Sequence, residues 1–588
     1  MMSCMVATLK TGSRGSVLRA GRVPEVVWSL RCGRVSSLRA GAVAGARSIS
    51  TRELDASKGD RERIIILGSG WSGFTLSRQL DPKKYQTVVI SPRSYFVFTP
   101  LLASTAVGTL EFRSALESVR GRGRWRGWGL TGGGWGGWGA RGNGVEFWQG
   151  WADDVDFERK KIRVEENAIE RPKNASGVVE RKGKGKGRVF EVDYDKLVVC
   201  VGCYSQTFGI DGVRENALFL KDVGDARKIR KRILECFETA ALPTTSDALK
   251  KQLLNFAIVG GGPTGVEFAA ELFDLCHEDL STLYPSLTPY IKITIYDVAP
   301  KILPMFDKNL ANYALEHFKR DGIHIKTEHH ILGLSKGLPK SDIEGEVGEE
   351  MERGFTLNLK EEGEVGVGMC VWSTGLMMNP FIEKALSSVH TYPTQSATLA
   401  SSVGGKGTSI EKPEEKKWEL KRSPKTGGLM VDEYFRVKLA TRSLPSSPSP
   451  SSPPSQPSKQ TPQETESTMN DVFALGDVAV LGNTSLPATA QVANQEAKWL
   501  GKKLNRLERG GRIGDGKGFT FRNMGVMTYV GGMRAIMQTD GKGEIKGRTA
   551  WLIWRGAYLT QTISWRNKLL IPMYWAINWL FGRDISRF

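Results

Sequence analysis

The sequence predicts an α/β protein made of two Rossmann-type dinucleotide-binding domains followed by a C-terminal amphipathic helical segment. Three observations predict it: a GSGWSG loop at 68–73, a GGGPTG loop at 260–265, and an aromatic, cation-rich stretch at 549–582. Each loop follows an apolar run and opens a helix-forming one, the context in which G-x-G-x-x-G carries meaning.

In the first loop, Gly68 permits the tight turn, Gly70 lets the backbone approach a pyrophosphate, and Gly73 lets helix and strand pack closely. Gly260, Gly262 and Gly265 take the same places in the second. Each helix N-terminus then faces an anion. Asp297 closes the run 291–296 and can hold a ribose hydroxyl pair. An acid there favours NADH, because the 2′-phosphate of NADPH would meet a negative charge. After the first loop that acid is missing, and Ser91 stands in its place. Two such loops in one chain imply one dinucleotide held permanently and one that visits; FAD with a nicotinamide nucleotide is the common pairing.

Apolar runs at 63–67, 87–90 and 196–201 read as strands of the first unit. Those at 256–259, 291–296 and 369–372 read as strands of the second, and 471–475 follows them. Strands alternating with helices imply parallel sheets covered on both faces. The expected organisation is a transit peptide at 1–52, a FAD-binding domain in two parts at 61–250 and 386–535, an NADH-binding domain at 251–385, and a membrane-associating segment at 536–588. Residues 121–144 are almost entirely Gly, Trp and Arg and read as a surface insertion. Residues 170–188 suit a hairpin tip, and the Ser/Pro/Gln tract at 443–468 suits a disordered insertion.

The net charge is +19. Residues 1–52 hold nine Lys or Arg against a single acid, Glu25. They are rich in Arg, Ser and Ala and lack an apolar h-region, which is the composition of an organellar transit peptide. The remaining +11 suits an anionic partner. No zinc-finger, homeodomain or RNA-recognition signature accompanies it, so an acidic membrane surface is expected and nucleic acid is not. The seven cysteines are odd in number and scattered, as in a reducing compartment. Cys200 and Cys203 form a C-x-x-C at the end of an apolar run. Residues three apart on a strand point to opposite faces, so no redox disulfide is expected. His329 and His330 lack metal-ligand spacing, and no metal site is expected.

Residues 549–582 gather Trp551, Trp554, Tyr558, Trp565, Tyr574, Trp575 and Trp579 beside Arg555, Arg566 and Lys568. The longest apolar stretch, 569–582, is interrupted by Pro572 and Asn578. As helix it would span about 21 Å, short of a hydrocarbon core of about 30 Å. A helix lying in the membrane interface fits better. A core or dimer helix is the alternative, so a homodimer is compatible with this reading.

Seven motifs carry a family resemblance: IIILGSGWSGF (64–74), VVISPRSYFVFTPLLASTAVGT (88–109), VGCYSQTFGIDGV (201–213), IVGGGPTGVEFAAEL (258–272), WSTGLMMNP (372–380), FALGDVA (473–479) and LPATAQVANQEA (486–497). Together they resemble the type II, or alternative, rotenone-insensitive NADH:ubiquinone oxidoreductases, and in particular their mitochondrial fungal members, over most of 61–588. The resemblance implies the two-dinucleotide-binding flavoprotein fold. It also implies FAD-dependent transfer of two electrons from NADH to ubiquinone without proton pumping. The expected location is peripheral, on the mitochondrial inner membrane, with the matrix face favoured because no apolar anchor follows the presequence.

The resemblance also assigns residues. Gly68, Gly70 and Gly73 would line the FAD pyrophosphate, Thr99 and Pro100 would sit near the isoalloxazine, and Asp477 would bond the ribityl chain. Gly260, Gly262, Gly265 and Asp297 would hold NADH, with Gly202 and Gly375 as further cofactor-binding positions. Glu267, two residues past Gly265, matches an acid near the nicotinamide and flavin. Gln491 and Gln495, four apart on one helical face, match glutamines bordering the flavin and quinone pocket. Ser373 replaces the frequent Ala of an A-T-G motif, and Asn494 stands where relatives can show His. Two other classes stay open: an NAD(P)H-dependent disulfide or ferredoxin reductase, which would need the Cys200/Cys203 dithiol, and an apoptosis-inducing-factor-like flavoprotein with a non-catalytic role.

Overall fold

The computed structural model describes residues 50–120, 145–167, 187–339, 353–386, 397–399, 418–441, 466–482, 486–508, 511, 513–514, 516–539 and 543–586. The insertion at 121–144, nearly all of the presequence and most of 443–468 lie outside them.

The first sheet is centred on β1 (Glu62–Leu67), which pairs in parallel with β2 (Tyr85–Ser91) and β3 (Lys196–Val199). Ile64, Ile65 and Ile66 are fully buried, as expected of a β-branched strand covered on both faces. The sheet is mixed rather than wholly parallel. Val145–Asp156 joins β2 in parallel, then turns into an antiparallel hairpin with Lys161–Glu166 and Val189–Asp193. These strands expose one face to water, so they lack the continuous apolar run that marks the central strands. The region read as a hairpin tip, 170–188, lies between two strands that do pair.

The second sheet is wholly parallel, in the order Leu218–Phe219, Met369–Trp372, Asn255–Val259, Lys292–Tyr296, His324–Lys326. We label Asn255–Val259 β4, Lys292–Tyr296 β5 and Met369–Trp372 β6. The chain then returns to the first sheet through β7 (Glu466–Ala474), parallel to β3. β7 begins inside the tract read as disordered: residues 466–468 are strand, because Ser467 and Met469 are buried against the sheet. The crossing between domains is an antiparallel ribbon of Cys203–Ser205 with Leu376–Met378.

Helix α1 (Trp71–Gln79) follows β1, and α2 (Val223–Ala240) precedes the second domain. Helix α3 (Pro263–Asp274) follows β4, and α4 (Ala490–Arg506) packs back onto α1. The chain ends in a three-stranded antiparallel sheet, β8 (Val526–Gly531), β9 (Arg534–Thr539) and β10 (Gly543–Gly547), followed by α5 (Arg548–Gln561) and α6 (Trp565–Phe581). The boundary expected at 536 falls inside β9. The expected interfacial segment is thus two helices on a small sheet, and this unit shares one apolar core with α2 and α3.

Pro572 does not interrupt α6, which runs 17 residues through it. The inner face of α6 is held by polar hooks. Asn567 Nδ2 donates to the Leu116 carbonyl (3.0 Å), and Asn578 Nδ2 donates to that of Thr109 (2.8 Å). The outer face carries Trp565, Leu569, Met573, Ile577 and Leu580, near fourfold spacing; Trp565 and Leu569 are 76% and 71% exposed. Among the described residues no helix is long and apolar enough to cross a membrane.

Candidate functional site

The two glycine loops repeat one geometry. Gly68 and Gly260 have φ of +108° and +114°, which an L side chain rarely adopts. A Cβ on Gly73 would collide with the Gly68 carbonyl oxygen, and one on Gly265 with that of Gly260. The middle glycines differ: a Cβ on Gly70 or Gly262 would meet no atom within 4 Å. Both are helix N-caps, and neither α1 nor α3 has a side chain capping its first amides. Open room in front of uncapped amides is what a pyrophosphate requires. The residues present therefore fit a dinucleotide at each loop.

The end of the second strand secures each loop differently. In the second domain Asp297 receives the Gly261 N–H on Oδ2 and the Ala299 N–H on Oδ1 (2.8 Å). In the first, the Ser91 hydroxyl lies 2.9 Å from that of Ser69. The serine that interrupts the usual acidic pattern thus holds the loop by a neutral hydrogen bond.

Three further segments converge on the first loop. Trp71 Nε1 donates to Thr99 Oγ1 (3.0 Å), which brings Thr99 and Pro100 to the start of α1. Gly476, at φ +74°, leaves no room for a Cβ beside Ser72, so the turn carrying Asp477 abuts the same helix. Gly202, at φ +66°, opens the interdomain ribbon, and Gly375, at φ +72°, sits at its other end against Gln206 and Phe208.

Asp477 has partners that the sequence did not announce. Cys203 Sγ donates to its Oδ2 (2.9 Å), and Lys221 Nζ lies 3.2 Å from the same sulfur. Burial, followed by the charge of Asp477, pushes the Cys203 thiol up to about 11. Cys200 and Cys203 do not share a strand: β3 ends at Val199, and the left-handed turn at Gly202 separates them. Both are free thiols, and Cys200 is buried. The two cysteines were expected on one strand; a turn separates them instead. The reductase alternative, which needs an accessible dithiol, loses its support.

Glu267 lies on the buried face of α3 and accepts from the Tyr529 N–H (3.2 Å) and from Trp554 Nε1 (3.3 Å). Burial pushes its carboxyl up to about 8 against these two donors. One and two turns further on, Glu271 accepts from Ser104 and Thr109 (2.6 and 2.7 Å), and Asp274 accepts from Tyr529 Oη (2.6 Å). Burial raises Asp274 to about 7. Neither acid was singled out from the sequence, although the 267–271–274 spacing on an apolar helix was readable.

Trp554 and Tyr558 were expected at the lipid surface, and the structure corrects this. Trp554 is buried and stacks on Tyr529 at 5.5 Å; Tyr558 meets Trp554 at 4.9 Å and Phe98 at 6.3 Å. Their position on the inner face of α5 puts Trp554 in the core and Tyr558 half-buried against it, where an aromatic ladder joins Glu267 to the Thr99 turn. Arg555 is enclosed between Trp551 and Trp575, at 4.2 and 4.4 Å from the ring centres, and so ties α5 to α6.

Gln491 and Gln495 do share a face of α4, and their amides are engaged with backbone. Gln495 Nε2 donates to the Arg522 carbonyl (2.8 Å) and its Oε1 accepts the Arg522 N–H (3.1 Å). Gln491 Oε1 likewise accepts the Met524 N–H (3.3 Å). The pair fastens the approach to β8 onto α4. On the opposite side of that helix, buried Glu496 accepts the Gly476 N–H (2.6 Å), and burial raises it to about 8.

Comparison with known proteins agrees with this arrangement. The pyridine nucleotide-disulphide oxidoreductase pattern matches residues 62–391, and an NDH2 C-terminal domain pattern matches 524–584. A protein named probable NADH dehydrogenase of Dictyostelium discoideum is 34% identical over 90% of this chain and 92% of its own. The internal alternative NAD(P)H-ubiquinone oxidoreductase A1 of Solanum tuberosum mitochondria is 31% identical over 91% and 90%. The chain belongs to the alternative NAD(P)H-ubiquinone oxidoreductases. The fold of this family is seen in NDH2 of Plasmodium falciparum solved with NADH, which superposes with a TM-score of 0.65 at 23% identity over 90% of this chain and 100% of that one. In family terms, residues 62–391 span the first glycine loop and the whole second domain, and 524–584 begin two residues before β8.

Proposed function

We propose that this chain holds FAD at the Gly68 loop, receives NADH at the Gly260 loop, and reduces ubiquinone at the mitochondrial inner membrane without pumping protons. The observation that carries the reading is Glu267: an acid on the NADH-side helix, buried, and joined through Trp554 and Tyr558 to the Thr99 turn of the other domain. When bound, FAD supplies a ring that takes two electrons from nicotinamide and passes them to quinone.

The chain's own residues supply the rest. Gly70 and Gly262 leave room for the two pyrophosphates, and the α1 and α3 amides bind them. Asp297, which holds the Gly261 N–H of the second loop, would bind the NADH ribose, and Asp477, which accepts from Cys203, the ribityl hydroxyls. Glu267 holds a proton at neutral pH, because burial keeps it near 8, and quinone needs two protons to become quinol. Gln491 and Gln495 form the wall of α4 beside the chain entering β8.

The exposed face of α6 lies in the membrane interface, with the matrix side favoured; quinone, which dissolves in lipid, reaches the site from there. The decisive assay is NADH oxidation by the purified protein with a short-chain quinone. Rotenone-insensitive reduction of the quinone is expected. A preparation that retains FAD but reduces no quinone would overturn the assignment.

A further inference from the structure

We infer that a basic groove on α2, beside the C-terminal tail, binds the anionic headgroup of a membrane phospholipid. The inference rests on the reading of α6 as membrane-facing, and it adds a site on a different element. Five of the six residues 227–232 are basic. The helix distributes them to three places. Arg230 is buried against Gly108, where a Cβ would come within 3.2 Å of its guanidinium, and it donates to the Asp584 carbonyl. Arg232 turns toward the second domain and donates to the Gly368 carbonyl (2.8 Å). Arg227, Lys228 and Lys231 remain exposed on one face at helical spacing.

Those three line a groove of about 320 Å3 that also includes Phe112 and Ser586. The Arg227 guanidinium lies over the Phe112 ring at 5.7 Å, which fixes its direction. Among the described lining residues none is acidic. Glu235 approaches Lys231 at 4.0 Å along the helix, and Asp225 acts on Lys228.

The position of the groove selects its occupant. Ser586 lies five residues beyond Phe581, where α6 ends with Trp579 and Phe581 83% and 81% exposed. Asn578 anchors that end of α6 to the Gly108 and Thr109 carbonyls, and Arg230 anchors the tail to α2. The apolar ledge and the basic groove are therefore adjoining parts of one braced surface. A soluble anion would use only the cations. A phospholipid would use both, with its phosphate among Arg227, Lys228 and Lys231 and its chains along α6.

The test is binding of the full-length protein to vesicles of phosphatidylcholine, with and without about one-third phosphatidylglycerol. The expected result is at least roughly tenfold tighter binding to the anionic vesicles, weakening with salt. The variant R227Q/K228Q/K231Q should lose that preference while keeping its binding to neutral vesicles and its oxidation of NADH with a short-chain quinone. A triple variant that keeps the preference overturns the site. Effective competition by inorganic phosphate also overturns it, by assigning the groove to soluble anions. Wild-type protein that binds neither vesicle would instead overturn the reading of α6, and the groove with it. Equal binding to both vesicles would overturn the groove alone.

Discussion

Trp554 Nε1 lies 3.3 Å from Oε1 of Glu267, a bond between residues 287 positions apart. It ties the C-terminal unit directly to the acid of α3 proposed to serve the site. Removing the donor should raise the Glu267 carboxyl further, because a hydrogen bond to the charged form lowers it. W554F retains the ring packing against Tyr529, so the alkaline limb of the pH–rate profile is expected to move upward. E267Q should slow quinone reduction by roughly 10²-fold and abolish that limb. An unchanged steady-state and stopped-flow rate in E267Q would remove the assignment.

The glycines separate folding from cofactor binding. G70A and G262A place a methyl where no atom lies within 4 Å, so thermal stability should change little. FAD retention should fall in the first and the KM for NADH should rise in the second. G73A and G265A drive a methyl into a carbonyl oxygen and should destabilise by roughly 1–3 kcal/mol or more. Melting curves and the flavin absorbance of the purified proteins distinguish the two classes. A melting loss as large in G70A as in G73A would contradict the open-cradle reading.

Three buried acids give stability a pH dependence. Burial raises Glu267 and Glu496 to about 8 and Asp274 to about 7, above their ordinary values of 4.5, 4.5 and 3.8. Between the ordinary and raised values the folded chain holds protons that the unfolded chain has released. Stability should therefore fall as pH rises from about 4.5 to 8 and level off above. Scanning calorimetry across that window checks the sign. E496Q, which keeps a carbonyl to accept the Gly476 N–H, should flatten the slope; a slope equal to wild type would exclude Glu496 as a contributor.

Membrane attachment is best tested on the outer face of α6. Deleting 549–588 would also remove Trp554 and unpack the core. L569K combined with W579K alters only exposed positions and should release the protein from liposomes while leaving its melting temperature nearly unchanged. Undiminished co-sedimentation would place the contact elsewhere.

Q491A and Q495A should each cost about 1 kcal/mol by freeing backbone groups of 522–525. The KM for quinone is expected to rise more than that for NADH; an equal effect on both would make the pair merely structural.

Both glycine loops, the central parallel strands and the amphipathic end were legible in the amino-acid order, because each is a local pattern: fixed glycine spacing, a buried apolar run, or a helical period. The sequence placed a hairpin tip at 170–188 but did not delimit the flanking strands at 161–166 and 189–193, whose half-exposed faces leave a weaker signal than a buried run. Nor did it show that 526–547 form a sheet continuous with the last two helices.

Which aromatic residues face inward emerges from long-range packing alone. Trp554 and Trp565 look alike in sequence, yet one donates to a buried carboxylate and the other is 76% exposed. The same holds for the acids of α3 and for the pairing of Cys203 with Asp477. A side chain's burial, and hence the protonation state of a carboxyl, depends on which distant segment packs against it, and no local period records that.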